Sequence, residues 1–190
     1  MFGFVIGTLY ANALEWVLHR YVLHGIGKRR DSTWSFHFHE HHRAARRNWM
    51  SDPDYERRLW GWHAQGKEAF TLLALGVMHL PLWALSPGFV LGLGLSGWNY
   101  YRWHRRSHED PDWARRHLSW HYDHHMGPDQ DANWCVSWPW FDWLMGTRKP
   151  YAGTERERDA RRRHAERAHR KAVATADHAA SLCVTESPAA

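Results

Sequence analysis

The stretch His37-Phe-His-Glu-His-His42 is the densest of four histidine clusters in this chain of 190 residues. Neutral imidazole is a common ligand for transition metals, and helical residues three or four positions apart project to the same side. The stretch offers two such pairs, His37 with His41 and His39 with His42, so each of two helix faces can present one pair. The spacing alone does not decide between His37 and His39 as a ligand; we favour His37 and retain both.

Three further clusters flank this one, and 14 of the 17 histidines lie between residues 19 and 125. A single ion takes four to six ligands, so this number of candidates indicates two neighbouring ions shared among several helices. The predicted metal ligands are His19, His24, His37, His39, His41, His42, His104, His108, His121, His124 and His125, with His117 as a further candidate.

The spacing of His19 and His24 does not fit this scheme directly. Residues five positions apart are separated by about 140° on an ideal α-helix, so the two rings cannot share an ion on a regular helix. Two explanations remain: the rings bind different metals, or the helix ends between them, as Gly25 permits.

The composition predicts one domain with a single core, because 44% of 190 residues are apolar. These apolar residues are segregated, since Ala69–Tyr101 contains no Asp, Glu, Lys or Arg. The chain also has 14 tryptophans and seven tyrosines, whose amphipathic rings favour the boundary between lipid and water. This pattern predicts association with a membrane; aromatic packing in a soluble core is the alternative.

The hydrophobic segments predict an all-α, membrane-associated helical bundle. Residues 1–24 are expected to form one helix that begins in the membrane and ends at its cytoplasmic face, or else a half-buried soluble helix. Residues 69–103 would be about 50 Å long as one helix, but Pro81 and Pro87 divide them, so we expect a helical hairpin. The hairpin either dips into one leaflet or forms two short tilted spans. We place one domain at residues 1–150 and a charged, helical or disordered tail at residues 151–190.

The formal charge is +5 and the basic residues lie mainly in residues 28–30, 43–47 and 156–170. These groups alternate with histidine motifs and no nucleic-acid-binding module is recognisable, so we predict an anionic membrane surface and no nucleic acid as the partner. The positive-inside tendency then places the metal site on the cytoplasmic side. The two cysteines, Cys135 and Cys183, form neither a disulfide framework nor a cysteine-based zinc motif, which fits a reducing compartment.

Taken together, the clusters resemble the histidine boxes of the fatty acid hydroxylase and sterol desaturase superfamily of membrane-bound oxygenases. Residues 15–24 look like the first box, residues 37–42 like the second, His104 and His108 like the third, and residues 121–125 like the fourth. Residues 133–147 resemble the closing signature, Phe-Asp-x3-Gly-Thr. The resemblance covers about residues 10–150 and implies that the domain at residues 1–150 is the catalytic domain. The chain departs from the pattern by its short length, its few or short hydrophobic segments and one extra histidine in the second box.

The resemblance implies a non-heme site with two iron ions, which uses O2 as co-substrate to attack an unactivated C–H bond of a lipid-like substrate by hydroxylation or desaturation. Zinc has no redox chemistry but is able to replace iron in a purified sample. Because neutral histidines leave such a site positive, carboxylates are expected beside the ligands as acceptors of imidazole N–H groups, with helix capping or solvation as the alternative. The candidates are Glu15, Glu40, Asp123 and Asp142.

No dinucleotide, flavin, heme-attachment or iron–sulfur motif is present in the sequence. The electrons must therefore come from an external donor, such as a ferredoxin or a cytochrome b5-like protein with its reductase, and the basic surface would suit an acidic donor. Two other functions compete with this one. They are a zinc-dependent hydrolase on the same histidine scaffold and a non-catalytic metal-binding protein.

Overall fold

The computed structural model describes residues 1–185, and it describes side chains as far as residue 176. The described residues form helices and no strands, which confirms the all-α prediction. The α-helices are α1 (Phe2–Val17), α2 (His42–Arg47), α3 (Ala64–His79), α4 (Pro87–Glu109), α5 (Pro111–His117), α6 (Ser119–Met126), α7 (Trp140–Leu144) and α8 (Glu155–Thr185). Two π-helical segments cover Leu18–Leu23 and His37–His41, and 3-10 turns cover Ile26–Lys28, Pro53–Glu56 and Leu80–Ala84.

The chain divides into two compact units, Met1–Ala152 and a second that begins at Gly153. The second unit is α8 over its described part, with ion pairs one turn apart such as Arg162 with Asp159 at 3.0 Å. All four histidine clusters of the sequence lie in the first unit.

Helices α1 and α4 run side by side in the same direction and approach each other closely through glycines. A Cβ atom on Gly7 would lie 2.2 Å from the carbonyl oxygen of Phe89, and one on Gly92 would lie 2.3 Å from that of Phe4. Only glycine fits at such contacts, because any side chain would overlap the backbone of the other helix. This packing brings the C-terminal ends of both helices, where histidines stand, to the same end of the unit.

The hydrophobic segment forms the helical hairpin that its prolines predict. Helix α3 ends at His79, the 3-10 turn contains Pro81, and α4 begins at Pro87, where Ser86 Oγ caps the helix by accepting from Phe89 N–H at 3.4 Å. Both arms extend beyond the predicted range, to Ala64 and Glu109. Within residues 1–185, none of the helices combines the length and the apolar content that a membrane crossing requires.

Candidate metal centre

Nine buried histidines from five segments form two clusters at the common end of α1 and α4. Each residue offers one ring nitrogen, and within a cluster these atoms all lie within 4.8 Å of one another. Cluster 1 contains His19, His24, His37, His42 and His124, and cluster 2 contains His41, His104, His108 and His125. His121 is also buried, and its Nε2 lies 3.2 Å from Nε2 of His108 in cluster 2.

The two clusters adjoin each other because each of two His-His dipeptides contributes one ring to each cluster. His41 and His125 belong to cluster 2, whereas His42 and His124 belong to cluster 1. Consecutive residues on a helix point about 100° apart, so each dipeptide can face two neighbouring positions. The rings of His42 and His125 are 4.3 Å apart between centroids, which places the two clusters side by side.

His19 and His24 lie in the same cluster, contrary to the restriction expected from a regular α-helix. The helix widens at Leu18–Leu23 into a π-helix, in which the N–H of His24 donates to the carbonyl of His19 at 2.9 Å. A π-helix closes its hydrogen bonds over five residues, so residues five apart come to the same side. The helix neither ends between the two histidines nor sends them to different clusters.

The second histidine stretch repeats this device. At His37–His41 the backbone is again π-helical, and the N–H of His42 donates to the carbonyl of His37. His37 is therefore grouped with His42 and not with His41, which belongs to the other cluster. His39 lies outside both clusters, and its Nε2 contacts the carbonyl of Lys28 at 2.9 Å.

The outer nitrogen of most rings is fixed by an acceptor on a neighbouring segment. The Nδ1–H of His19 donates to the backbone carbonyl of Trp134. In the same way, His108 donates to the carbonyl of Met50 at 2.8 Å and His124 to that of Ala132 at 2.7 Å. Carboxylates face the Nδ1 of His41 (Asp52, 2.7 Å), His104 (Glu68, 2.6 Å) and His24 (Asp131, 3.3 Å). Such partners select the tautomer and hold the ring in orientation.

This arrangement leaves bare nitrogens pointing inward. A carbonyl can only accept, so His19, His108 and His124 carry their proton on Nδ1 when neutral, and Nε2 keeps a lone pair. The Nε2 atoms nevertheless meet at 2.9 Å between His19 and His37, and at 3.0 Å between His124 and His42. Two nitrogens bound about 2.1 Å from one ion at angles of 90–109° are separated by about 3.0–3.4 Å, so these spacings suit a shared cation.

Protonation does not offer another solution for these rings. Burial first, and then the neighbouring imidazoles, lower the pKa of His19, His37 and His42 well below the usual value. The same causes lower the pKa of His108 and His125, while burial lowers the pKa of His24 to about 2 and that of His124 to about 4. The rings are neutral at physiological pH, which is the form that binds metal. In addition, Nε2 of His41 and both ring nitrogens of His125 are buried without a hydrogen-bond partner within the described chain.

The four carboxylates predicted from sequence have other partners. Glu15 accepts from the backbone N–H groups of residues 136 and 137 and from Ser137 Oγ, and burial raises its pKa to about 7. Glu40 is exposed and lies 3.7 Å from Lys67 Nζ, and Asp123 pairs with Arg148 at 2.7 Å. The predicted role as imidazole acceptors therefore passes to Asp52, Glu68 and Asp131, which stand in other segments. His117 also lies outside both clusters, where it is exposed and stacked on Trp113.

Asp142 acts on the clusters indirectly, through the loop that contains Trp134. Its buried carboxylate accepts from the N–H of Trp134 at 2.8 Å, from the N–H of Cys135 at 2.9 Å and from Thr147 Oγ1 at 2.7 Å. The carbonyl of the same Trp134 receives the Nδ1–H of His19. The Phe-Asp-x3-Gly-Thr segment thus fixes the loop that orients one ring of cluster 1.

No local signal in the sequence marks the three carboxylates that face imidazoles. Asp52 stands in a Ser-Asp-Pro-Asp turn, Glu68 near the start of α3, and Asp131 in the loop before Trp134. Each is at least 11 residues from its histidine along the chain. Only the tertiary fold brings these groups together.

An apolar cavity of about 480 Å³ leads to the clusters between α1, α3 and α4. Its polar end includes His19, His37 and Glu68. The apolar lining includes Leu14, Leu18, Val22, Ile26, Trp34, Phe36, Leu72, Leu75, Leu93, Gly94 and Gly97. The volume is typical of a small-molecule site, and the lining suits a hydrocarbon chain.

A family model described as fatty acid hydroxylase matches residues 4–147, a range that contains every residue of the two clusters. No curated protein and no solved structure was found to match the chain.

Proposed function

The chain belongs to the fatty acid hydroxylase family, and on this premise we propose that it is an O2-dependent, non-heme di-iron hydroxylase or desaturase that acts on an unactivated C–H bond of a lipid-like substrate. The observation that carries the proposal is the meeting of bare imidazole nitrogens in two adjoining clusters at the end of an apolar cavity. A site built for one structural ion would need neither the second cluster nor the cavity.

The donor set fits two iron ions, held by the Nε2 atoms of clusters 1 and 2 with His121 as a further donor to cluster 2. Bound iron would supply the electrons that convert O2 into an oxidant able to remove hydrogen from a C–H bond. Zinc suits the same imidazoles but has no redox chemistry, so it would occupy the site without supporting the reaction. The surrounding carbonyls and carboxylates keep the rings in the orientation that either metal requires.

The cavity would hold the substrate. Its leucine and aromatic lining removes a hydrocarbon chain from water, at roughly 25 cal/mol per Å² of apolar surface. One carbon atom of the hydrocarbon chain would then lie beside His19 and His37, where the clusters border the cavity. Exclusion of water there also protects a strong oxidant from side reactions.

The stoichiometry of the proposed reaction shows that it needs two electrons in addition to O2 and the substrate. Hydroxylation combines R–H, O2, two electrons and two protons into R–OH and one water, whereas desaturation yields an alkene and two waters from the same inputs. The electrons would come from an external donor such as a ferredoxin or a cytochrome b5-like protein.

The proposal includes a location at a membrane, with the metal site facing the cytoplasm. It is supported by large apolar side chains that stand exposed on α1, α3 and α4. These include Phe2, Val5 and Leu9 on α1, Phe70, Leu73 and Val77 on α3, and Leu91 and Leu95 on α4. On each helix these residues recur three or four positions apart, so each helix exposes an apolar face that a membrane would cover.

Iron reconstitution tests the proposed function. Purified full-length protein is loaded anaerobically with Fe²⁺, supplied with a reductase system and 18O2, and incubated with lipid extract. We expect about two irons per chain. We also expect a product that has gained one 16O atom in air and one 18O atom under labelled gas, or else a product that has lost two hydrogens. O2-independent, zinc-dependent hydrolysis would favour the hydrolase instead. Metal binding without turnover of any lipid would favour the non-catalytic protein.

A further inference from the structure

The metal end of the apolar cavity contains two polar groups that the described chain leaves without a partner. Glu68 on α3 and Tyr100 on α4 both line the cavity. The side chain of Glu68 is 10% exposed, and its Oε1 is buried without a hydrogen bond to any described residue. The hydroxyl group of Tyr100 likewise forms no hydrogen bond within residues 1–176, whose side chains the structure describes.

The other hydroxyl and carboxyl groups of the cavity lining have partners. Ser137 Oγ donates to Glu15, which also accepts from two backbone N–H groups. Ser96 Oγ and Thr71 Oγ1 each donate to the carbonyl four residues earlier, both at 2.8 Å. The two histidines of the lining belong to cluster 1. The unpaired groups are therefore confined to one place in the cavity.

Both unpaired groups belong to residues that contact His104, a member of cluster 2. Glu68 Oε2 accepts from Nδ1 of His104 at 2.6 Å and also from the hydroxyl group of Tyr55. The rings of Tyr100 and His104 are 5.3 Å apart between centroids. Burial first, and then the Glu68 carboxylate, raise the pKa of Tyr100 well above its usual value, which shows that the two groups are close together. Neither residue is among the donors of the two metal clusters.

The two groups together match the chemistry of a hydroxyl group. A carboxylate oxygen only accepts hydrogen bonds, whereas the hydroxyl group of tyrosine is able to donate one. An alcohol donates to Glu68 Oε1 and accepts from Tyr100 at the same time. A carbonyl or ether oxygen only accepts and would leave Glu68 Oε1 unpaired, and an ammonium group only donates and would leave the proton of Tyr100 unpaired. Because an unpaired buried polar group is costly, the cavity favours an occupant that satisfies both.

Glycines of α4 leave space for the rest of such a molecule. Gly97 and Gly94 stand three and six residues before Tyr100 and line the cavity, and a Cβ atom on either would meet nothing within 4 Å. Helix packing therefore does not require glycine at these positions, unlike at Gly92, where a Cβ atom would lie 2.3 Å from a carbonyl oxygen of α1. Glycine weakens a helix interior relative to alanine, so we attribute both residues to the space that they leave beside Tyr100.

We propose that Glu68 and Tyr100 bind the hydroxyl group of the substrate, which is a long-chain alcohol held with its O–H beside His104 and its hydrocarbon chain along the apolar lining. The proposal rests on the proposed function and deepens it, because it names the substrate class. The hydroxyl group donates to Glu68 Oε1 and accepts from Tyr100. Since His104 belongs to cluster 2, the carbon atoms nearest the hydroxyl group lie closest to the metal position and are the ones oxidised.

Equilibrium dialysis of zinc-loaded full-length protein with tritiated dodecanol and with its tritiated methyl ether tests the proposal. The ether keeps the hydrocarbon chain and the acceptor oxygen but has no proton to donate. We expect the unaltered protein to bind the alcohol roughly tenfold more tightly than the ether, because the ether leaves Glu68 Oε1 unpaired. Tyr100→Phe removes the donor to both ligands and should weaken each by about fivefold. Glu68→Gln turns its N–H2 group toward the ligand and should abolish the preference for the alcohol.

The matched control is Tyr101→Phe, on the neighbouring residue of α4. The hydroxyl group of Tyr101 accepts from Gln65 Nε2 at 3.1 Å, and Tyr101 does not line the cavity. Its removal should change both Kd values by less than about twofold. Zinc content and helical circular dichroism check Glu68→Gln, since Glu68 also orients His104. If Glu68→Gln loses zinc, the comparison of Tyr100→Phe with Tyr101→Phe decides.

The proposal is overturned if the unaltered protein binds the ether as tightly as the alcohol, since the two groups would then hold water only. It is also overturned if both tyrosine variants cause the same loss, or if zinc-loaded Glu68→Gln keeps the preference. A third arm uses iron-loaded protein with a reductase system and O2, in which the alcohol should be oxidised roughly tenfold more efficiently than the ether, in line with their affinities.

An alcohol that only inhibits oxidation of the ether would overturn the proposal, because the two groups would then bind a hydroxyl group formed by the reaction. Zinc-loaded protein binds its ligands without redox chemistry. A preference for the alcohol without any O2-dependent product would therefore refute the proposed function and leave the hydroxyl site standing.

Discussion

The two ends of the first unit are built on opposite principles. At the metal end, eight of the twelve largest fully buried side chains are histidines. At the other end, Phe2, Val77 and Leu85 are exposed by 81%, 60% and 82%. Burial of polar rings is favourable only when their nitrogens have partners, whereas exposed apolar surface is tolerated only when something else covers it. Each end therefore depends on a component from outside the chain, a cation at one and an apolar environment at the other.

Acidification should separate the two ends most strongly. The pKa values of His19 and His24 in cluster 1 lie below the value in the unfolded chain, near 6.5. Above pH 6.5 both states are neutral, and below it only the unfolded chain gains the proton, so folding stability is lost as the pH falls. The loss between pH 7.5 and 5.5 is about 1.4 kcal/mol for each such histidine.

Several histidines share this shift, so metal-free protein should unfold cooperatively below about pH 6, while zinc-loaded protein should resist to a lower pH. Circular dichroism during pH titration, with and without zinc, measures both transitions. A metal-free protein that is equally stable at pH 7.5 and 5.5 would show that the rings are not buried as neutral groups.

Removal of one ring from the metal end should have the next largest effect. His37→Ala deletes a nitrogen of cluster 1, whereas His39→Ala, two residues away, deletes a ring that lies outside both clusters. We expect His37→Ala to weaken metal binding at one of the two positions by roughly 100-fold or more and His39→Ala to leave it within about threefold. Metal content after dialysis against a chelator distinguishes the variants, and similar losses in both would contradict the assignment of His37.

His37 and His39 also show how much of the site the sequence predicts. The prolines, the apolar segment and the repeated histidines predict the helical hairpin and the convergence of distant histidines. They do not predict which histidines share a cluster. Spacing on an α-helix pairs residues three or four positions apart, whereas the backbone is π-helical at both His19–His24 and His37–His42. The carboxylate partners were out of reach for a different reason. Asp52, Glu68 and Asp131 lie in segments whose position relative to the histidines is set by tertiary packing alone.

Two glycines of the apolar helices should respond to the same substitution with opposite signs. A Cβ on Gly7 would collide with the backbone of Phe89, so Gly7→Ala should destabilise the fold by about 1–3 kcal/mol. A Cβ on Gly97 meets nothing within 4 Å, so Gly97→Ala should stabilise α4 by about 0.5–1 kcal/mol.

Gly97 also lines the apolar cavity, so the larger substitution Gly97→Leu should exclude a bound hydrocarbon chain without unfolding the protein. Unfolding in urea and displacement of a fluorescent fatty acid test both statements. Unchanged fatty acid binding by Gly97→Leu would show that the fatty acid binds outside the apolar cavity.

The smallest expected effect on stability belongs to the exposed apolar side chains of α3, and it sharpens the contrast between them and the buried histidines. Phe70 and Leu73 are on the outer side of α3 and do not line the cavity. Replacing either with Ser should change the free energy of unfolding in water by no more than about 0.5 kcal/mol, because an exposed side chain has little contact to lose. The same change should weaken binding to phospholipid vesicles by about 1 kcal/mol per residue, roughly fivefold, if these side chains enter lipid. Val173→Ser on α8 is the matched control for an exposed apolar residue outside this unit. Vesicle sedimentation measures the partition, and equal values for all three variants would mean that the apolar end is covered by something other than lipid.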